Sequence, residues 1–492
     1  MTTAETTRIR ESRIKKLNDI REKNIDPYPY SYDKNAKAKD LLDKYSDLEN
    51  GIETSDEYKV AGRIMATRNS GMFIDLMDDT EKIQLFCHKE NIGQEKFKDL
   101  KTTDIGDFIG ATGTIRRTPR GELSLKVSDY QILSKSLNPL PEKFHGLQDK
   151  ELRYRQRYVD LIVNKEVRDT LRKRSEIISA IRNFLLDEGF LEVETPMLQV
   201  IPGGAAAKPF ITHHNTLDID MYLRIAPELY LKRLIIGGLS EKVFEINRNF
   251  RNEGISYKHN PEFTMLELYQ AYVDYNEMMN ITERIIVHAA QKALGKLQVT
   301  FQGNEIDLTP PWKKITMLDA TKEYTDIDFN SIETDNEARK AARDSGIEVD
   351  DNDSWGKVID KVFEEKVEPH LIQPTHIIDY PVDISPLAKK HRKDKRLVER
   401  YETRINGWEI ANAFSELTDP LDQRERFEKQ LAERESGDEE AHRLDEDFLN
   451  ALEYGMPPCG GLGIGIDRLV MILTDSPSIR DVIAFPTLRP KS

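Results

Sequence analysis

Cysteine is nearly absent. Among 492 residues only Cys87 and Cys459 occur, which excludes a disulfide framework and fits a reducing compartment. Long apolar runs are missing as well: none approaches the roughly 20 residues that span a bilayer. The N-terminus, MTTAETTRIRESRIKK, lacks the apolar core of a secretory leader. The expectation is a cytoplasmic protein with no membrane partner. There is no excess of positive charge either, and a net charge of −15 argues against a chain that simply coats nucleic acid. Local basic faces remain open. Arg8, Arg10, Arg13, Lys15 and Lys16 form one on a predicted helix, readable as a solvated face or as an RNA contact. No internal repeat is found. What is present is 38% hydrophobic and 32% charged residues, in a chain too long for one core and suited to two or three domains.

Residues 1–57 read as a helical extension, helix–loop–helix, with Pro27 and Pro29 in the connection. From Tyr58 the texture changes to short strands: Lys59–Met65, Met72–Met77, Lys82–His88, Phe108–Arg116 and Leu123–Leu133, with a helical link at Asn91–Leu100. Five strands and such a link match an oligonucleotide-binding (OB-fold) barrel, which we bound at residues 58–135. Phe73, Gln84 and Glu122 sit on three of its predicted strands, as core and surface residues or as base contacts. SLNPLPEKF, Ser136–Phe144, carries two prolines and marks an extended linker over 136–149. Residues 150–492 form the remaining domain. There Arg168–Gly189 has helical spacing, with Leu171, Ile178, Ile181 and Leu185 on one face, and Phe190–Glu194 reads as a strand ending at Thr195-Pro196. IPGGAAAKPF, Ile201–Phe210, lacks the side chains that would keep a ligand away from backbone. Glu228 stands directly before a helix. Residues 320–370 are acidic and helical in texture, and Glu425–Asp447 reads as solvated helices; neither points to chemistry.

Three stretches do. In Glu241–Tyr272, Val243–Ile246 and Phe263–Tyr269 predict the arms of an antiparallel hairpin, Arg251 and Glu253 on one arm and Phe263, Glu267 and Tyr269 on the other. An arginine fork there suits phosphate or carboxylate, and a Phe beside a Glu suits a flat base with an amino edge. An ordinary hairpin with an Arg251–Glu253 ion pair and a core Phe263 fits the same pattern. In YETRINGWEIANAFSE, Glu402 and Glu409 would face each other across a hairpin turned at Asn406-Gly407. Two such carboxylates near a triphosphate suit Mg²⁺, and an exposed pair is the alternative. Asn412, Phe414 and Glu416 alternate onto one strand face and, with Glu228, Glu267 and Tyr269, predict an acidic pocket. A buried ammonium needs carboxylate partners, so three Glu suit a dibasic ligand, not aspartate or asparagine. GGLGIGIDR, Gly460–Arg468, runs into an apolar stretch but lacks the Lys-Ser/Thr ending of a phosphate loop.

FRNEG, HNPEF and MLELY are very similar to the second signature motif of class II aminoacyl-tRNA synthetases, in the version carried by lysyl-tRNA synthetases. GGLGIGIDR resembles the third motif, and the helix–strand–Pro at 168–196 the first. The resemblance covers nearly the whole chain. It implies an α+β protein: an N-terminal OB-fold anticodon-binding barrel, and a catalytic domain whose antiparallel sheet is flanked by helices. It implies activation of L-lysine by ATP and transfer to tRNA(Lys). Arg251 and Arg468 would be catalytic. Arg251, Glu253, His259, Asn260, Phe263, Glu402 and Arg468 would bind ATP, Arg468 on the γ-phosphate and Phe263 on adenine. The lysine α-amino group would meet Glu228 and the loop at Gly204, its side-chain ammonium Tyr269 and Glu416, its carboxylate Arg251 and Asn412, with Glu267 and Phe414 completing the pocket. Glu402 and Glu409 would hold Mg²⁺, up to about three ions per subunit. Phe73, Gln84 and Glu122 would touch the anticodon. The first motif implies a homodimer. Siblings for asparagine or aspartate, a protein-modifying relative and an RNA-binding module without catalysis are the other readings.

Overall fold

The computed structural model describes residues 3–141, 147–435 and 443–490. Residues 142–146 of the predicted linker and 436–442 of the charge-dense segment lie outside them. The chain divides into two compact units, 1–149 and 150–492.

In the first unit, helices α1 (Thr3–Glu22) and α2 (Ala38–Lys44) precede five strands. These are β1 (Glu53–Arg68), β2 (Phe73–Met77), β3 (Lys82–Phe86), β4 (Phe108–Arg117) and β5 (Leu123–Ser134), closed in the order β1-β2-β3-β5-β4 with β3 and β5 parallel. Period-two alternation drives the closure: Val60 and Ile64, Ile74 and Leu76, Ile83 and Leu85 all point inward and are buried together. The expected OB-fold barrel is present. Two corrections apply. Glu122 lies in the turn before β5, not on a strand. The basic face of α1 is also divided. Arg13 is buried and donates to the carbonyls of Ile105, Ser136 and Asn138, while Lys16 pairs with Asp104 at 2.6 Å. Those two hold the helix to the barrel's own base, and only Arg8, Arg10 and Lys15 remain exposed.

The second unit is built on an eight-stranded sheet. Its strands are β6 (Leu191–Glu192), β7 (Lys242–Phe250), β8 (Glu262–Ala271), β9 (Lys313–Thr316), β10 (Thr375–Pro381), β11 (Leu397–Ile405), β12 (Trp408–Ser415) and β13 (Cys459–Gly465). They run in the order β9-β10-β11-β12-β13-β8-β7-β6, antiparallel except at the two edges. The helices used below are α3 (Lys165–Asp187), α4 (Glu228–Ile236), α5 (Tyr275–Leu294), α6 (Pro420–Glu435), α7 (Glu446–Glu453) and α8 (Ile466–Leu473). The central strands send alternate residues to opposite faces. Leu266, Leu268, Ala411, Ala413, Leu462 and Ile464 pack with α3, α5 and α8 in one core. The intervening residues, including Glu267, Asn412 and Gly463, line a cavity on the other face. The buried residues of α3 include Ile177, Ile181 and Leu185, whereas the predicted Leu171 and Ile178 are only partly covered. The predicted strand 190–194 shortens to Leu191–Glu192.

One ionic cluster fastens the barrel. Lys135 is fully buried between Asp104 and Asp107, the latter at 2.8 Å and equally buried. Lys135→Met would strand Asp107, a change that costs about 3–5 kcal/mol when one partner of a buried pair is removed. Denaturant unfolding of the full chain, followed by amide exchange within β4 and β5, should show that loss in the barrel strands.

Candidate active site

The cavity over the open face of the sheet measures about 380 Å³. Its walls come from seven places. Gly204 lies in the Gly/Ala loop and Glu228 opens α4. Arg251 and Glu253 lie in the β7–β8 loop, beyond the strand end, not on an arm as expected, and His259 and Asn260 lie in the same loop. Phe263, Glu267 and Tyr269 follow on β8. Glu402 on β11, Glu409, Asn412 and Phe414 on β12, and Arg468 on α8 complete the lining. Glu416, just past β12, is 1% exposed and lies behind the wall, reached through its ion pair with Lys232. No ion pair joins Arg251 to Glu253, and Phe263 is half-buried at the cavity wall, so the ordinary-hairpin alternative does not describe this loop.

The close approaches at one end need glycine. A Cβ on Gly461 would lie 2.0 Å from Glu416 Oε1 and 2.5 Å from the Tyr269 ring. Gly204, at φ +89°, allows Glu228 and Ala226 against its backbone. The glycine run is thus a strand that admits neighbouring side chains, continuing directly into α8. Around it three carboxylates are buried. Glu228 accepts from Lys232 at 2.6 Å, and Glu416 forms an ion pair with the same ammonium at 2.5 Å without a hydrogen bond of regular geometry. Glu267, 5% exposed, has only the Tyr269 hydroxyl at 3.4 Å, and no ion pair among the described residues. Burial, then the charge of Glu228, holds its carboxyl well above the ordinary range. Burial pushes Glu416 up to about 8, against the pull of Lys232.

The other end is cationic. Arg251 stacks over Phe263 at 5.2 Å, and its Nε is buried without a partner. Burial lowers its pKa, partly opposed by Glu253 and Glu409. Arg468 donates to the Glu409 carbonyl at 3.0 Å and to its carboxylate at 3.3 Å. It also meets His259 Nε2 at 3.1 Å, and since arginine only donates, His259 accepts there and is neutral. Burial and Arg468 lower that imidazole's pKa. Asn260 lines the cavity, but its amide is spent on the backbone of Glu262 and Thr487.

Glu402 and Glu409 both reach the cavity, but a bulge at Thr403/Arg404 offsets the register. Glu402 therefore pairs across with Asn412, and Glu409 with Arg404, not with each other. Arg400 and Arg404 both grip Glu402, the former at 2.7 Å. Burial raises its pKa, but the two arginines outweigh that and hold it low. Arg400 also donates to Asn412 Oδ1 at 3.1 Å, which leaves the amide NH₂ as the donor this cavity-lining side chain has for a ligand. Among the described residues no group of three or more His, Cys, Asp or Glu forms a metal cage. A hard cation here would complete its shell with ligand oxygens.

Sequence reasoning missed Lys232, Arg400 and Arg426. Lys232 had a signal, four residues after Glu228 on one helix, and Arg400 had one, two before Glu402 on one strand. Arg426 had none. Its helix α6 looked solvated, yet Arg426 and Gln423 are buried and grip the 385–388 segment that roofs the cavity. Arg426 donates to Ser385 and Ala388 carbonyls at 3.0 and 2.7 Å, and Gln423 to Pro386 at 3.1 Å.

On the barrel, Phe73 and Gln84 share an outer face. Phe73 lies 5.4 Å from Phe86, which stacks on His88 and carries Arg116 4.5 Å above its ring. Gln84 is 8% exposed and accepts from Ser124 at 2.9 Å, while Glu122 is exposed. Aromatic rings with arginine beside them form a stacking surface for unpaired bases.

Comparison with known proteins gives one consistent result. The family profile "tRNA synthetases class II (D, K and N)" matches residues 149–489, and that of the "OB-fold nucleic acid binding domain" matches 58–133. A lysine–tRNA ligase of Pelotomaculum thermopropionicum is 58% identical over 483 residues, 97% of this chain and 94% of that protein. Lysine–tRNA ligases of Carboxydothermus hydrogenoformans and Thermosynechococcus vestitus are 56% and 58% identical, over 97% and 98% of this chain and 97% of each protein.

If Arg426 holds the roof, Arg426→Met should free it. A hydrogen bond to a charged group contributes about 1.5–3 kcal/mol, so amide exchange across 385–389 should quicken about tenfold or more. Exchange mass spectrometry should show little change in β8 or β13.

Proposed function

Because the chain belongs to the class II tRNA synthetases, within the lysine–tRNA ligases, we infer that it activates L-lysine with ATP, releases pyrophosphate, and transfers lysine to the 3′ end of tRNA(Lys). The carrying observation is Glu267, a carboxylate 5% exposed in the cavity with no cation of its own. Such a group takes a proton or a ligand's ammonium. An ammonium-bearing substrate meets that demand, and a site for aspartate or asparagine would not be built this way.

The roles follow by chemistry. The α-amino group lies against Glu228 and the Gly204 backbone. The side-chain ammonium lies against Glu416 and Tyr269, with Glu267 and Phe414 on the walls. Arg251, with its spare buried donor, and the amide NH₂ of Asn412 take the α-carboxylate. The carboxylate then attacks the α-phosphate of ATP in line, and no protein nucleophile is needed. Arg251 and Arg468 stabilise charge on the phosphates, His259 as a neutral imidazole offers a further contact, Phe263 stacks adenine and Glu253 accepts from its amino edge. Asn260 holds the loop. Glu402 and Glu409 offer hard oxygen donors that fit Mg²⁺ completed by phosphate oxygens and water, and the ion would supply charge neutralisation there.

On the barrel, Phe73 stacks an anticodon base, and Gln84 and Glu122 read base edges. We also propose a cytoplasmic homodimer joined through α3 and β6, a reading supported by exposed Leu186, Leu191 and Leu198. No helix of the described residues is long and apolar enough to cross a membrane.

Lysine-dependent ATP–pyrophosphate exchange, with asparagine and aspartate as controls, tests the substrate; exchange with a control and not with lysine would overturn it. Glu416→Gln should raise lysine KM about tenfold or more with ATP KM within about twofold, because only one partner of the ammonium is changed. Phe73→Ala should cost about 1–3 kcal/mol in tRNA binding and leave exchange without tRNA untouched.

A further inference from the structure

Among the described residues Lys232 is the cation ion-paired with two of the three buried carboxylates. It is fully buried, its ammonium 2.6 Å from Glu228 and 2.5 Å from Glu416, and its end lies 5.9 Å from the Tyr269 ring and 6.0 Å from that of Phe448 on α7. It does not line the cavity. Of the two carboxylates Glu228 lines the cavity, while Glu416 and Lys232 stand behind its wall. Glu228 and Glu416 share this one ammonium, and Glu267 has no ion pair.

We propose that Lys232 is a positioning and specificity-determining residue, a resident counter-cation shared by Glu228 and Glu416 that keeps both carboxylates available to the two ammonium groups of the substrate. The proposal rests on the lysine reading above. Glu228 and Glu416 sit at opposite ends of that substrate in the proposed pose, and one buried ammonium bridges them. Glu416 Oε2 is drawn back to Lys232 while Oε1 lies beside Gly461, so the two carboxylate oxygens face different neighbours. Without Lys232 two buried like charges would stand together, and the pair would hold a proton in place of substrate.

The groups facing the pair set the pH behaviour. Lys232 comes from α4, Glu267 and Tyr269 from β8, Cys459 from β13, and Arg400 from β11 acts on Glu228. Burial raises both carboxyls, Glu228 raises Glu416 further, and Lys232 pulls both down, with Arg400 helping at Glu228. With Glu416 near about 8, lysine must displace a proton below that pH, so lysine KM should fall as pH rises toward 8 and then level.

The experiment is lysine KM in pyrophosphate exchange from pH 6 to 8.5, for the unmodified protein and Lys232→Met. Exchange with lysine in the unmodified protein is the control that separates failure of the substrate reading from failure of this one. The expected result is a lysine KM raised about tenfold or more at pH 7, a midpoint shifted up by about one pH unit or more, and ATP KM within about twofold. A raised KM with an unshifted midpoint, or an unchanged KM, would mean that Lys232 only fills space. Should Lys232→Met fail to fold, Lys232→Met with Glu228→Gln removes the like-charge pair. Recovery of folded protein would support the shared counter-cation, and no recovery would sink it.

Discussion

A carboxylate taken out of water must find a cation or accept a proton, and the second unit of this protein is arranged around that constraint. Its sheet turns one face to helices and leaves the other to charge. Glu228 and Glu416 share Lys232, Glu402 is held between Arg400 and Arg404, and Glu409 is met by Arg468. Glu267 alone among them has no ion pair. Four of these five carboxylates thus have a cation partner, and Glu267, on the cavity wall, is left for a ligand or a proton. Buried ion pairs add little stability by themselves, so their value here lies in orientation. The stability comes from the opposite face, where Leu266, Leu268, Leu462 and Ile464 are sealed beneath α3, α5 and α8.

The two ends of the cavity are separated by chemistry as much as by distance. Carboxylates cluster where glycine at 461 and 204 lets side chains and backbone close up. Arginines cluster where the β7–β8 loop meets α8. A ligand with ammonium groups at one end and phosphates at the other meets matching charge at both. Activation of an amino acid by ATP needs that arrangement and little else, since positioning and charge stabilisation carry the reaction.

Several features were legible from residues alone. The hairpin of Glu241–Tyr272, the turn at Asn406-Gly407, the barrel strands and the face shared by Asn412 and Phe414 all follow from alternation and turn chemistry, which act over a few residues. Errors arose where an outcome depends on partners far away in the chain. The bulge at Thr403/Arg404 moved Glu402 opposite Asn412. Arg13 and Lys16 went to the barrel base, because carbonyls and Asp104 waited there. Arg426 was lost among the charges of α6, although it grips the roof.

The sequence by itself determined the family, the residue types of the site and the periodicities that place them on strands, because motif and period are properties of neighbouring residues. Which carboxylates would be paired, and by what, was decided only by the tertiary structure. Lys232 meets Glu416 across 184 positions of chain, and no local rule carries that far. Pairing depends on burial and geometry, and both exist only once the sheet, α4 and the strand of Gly461 have closed on one another.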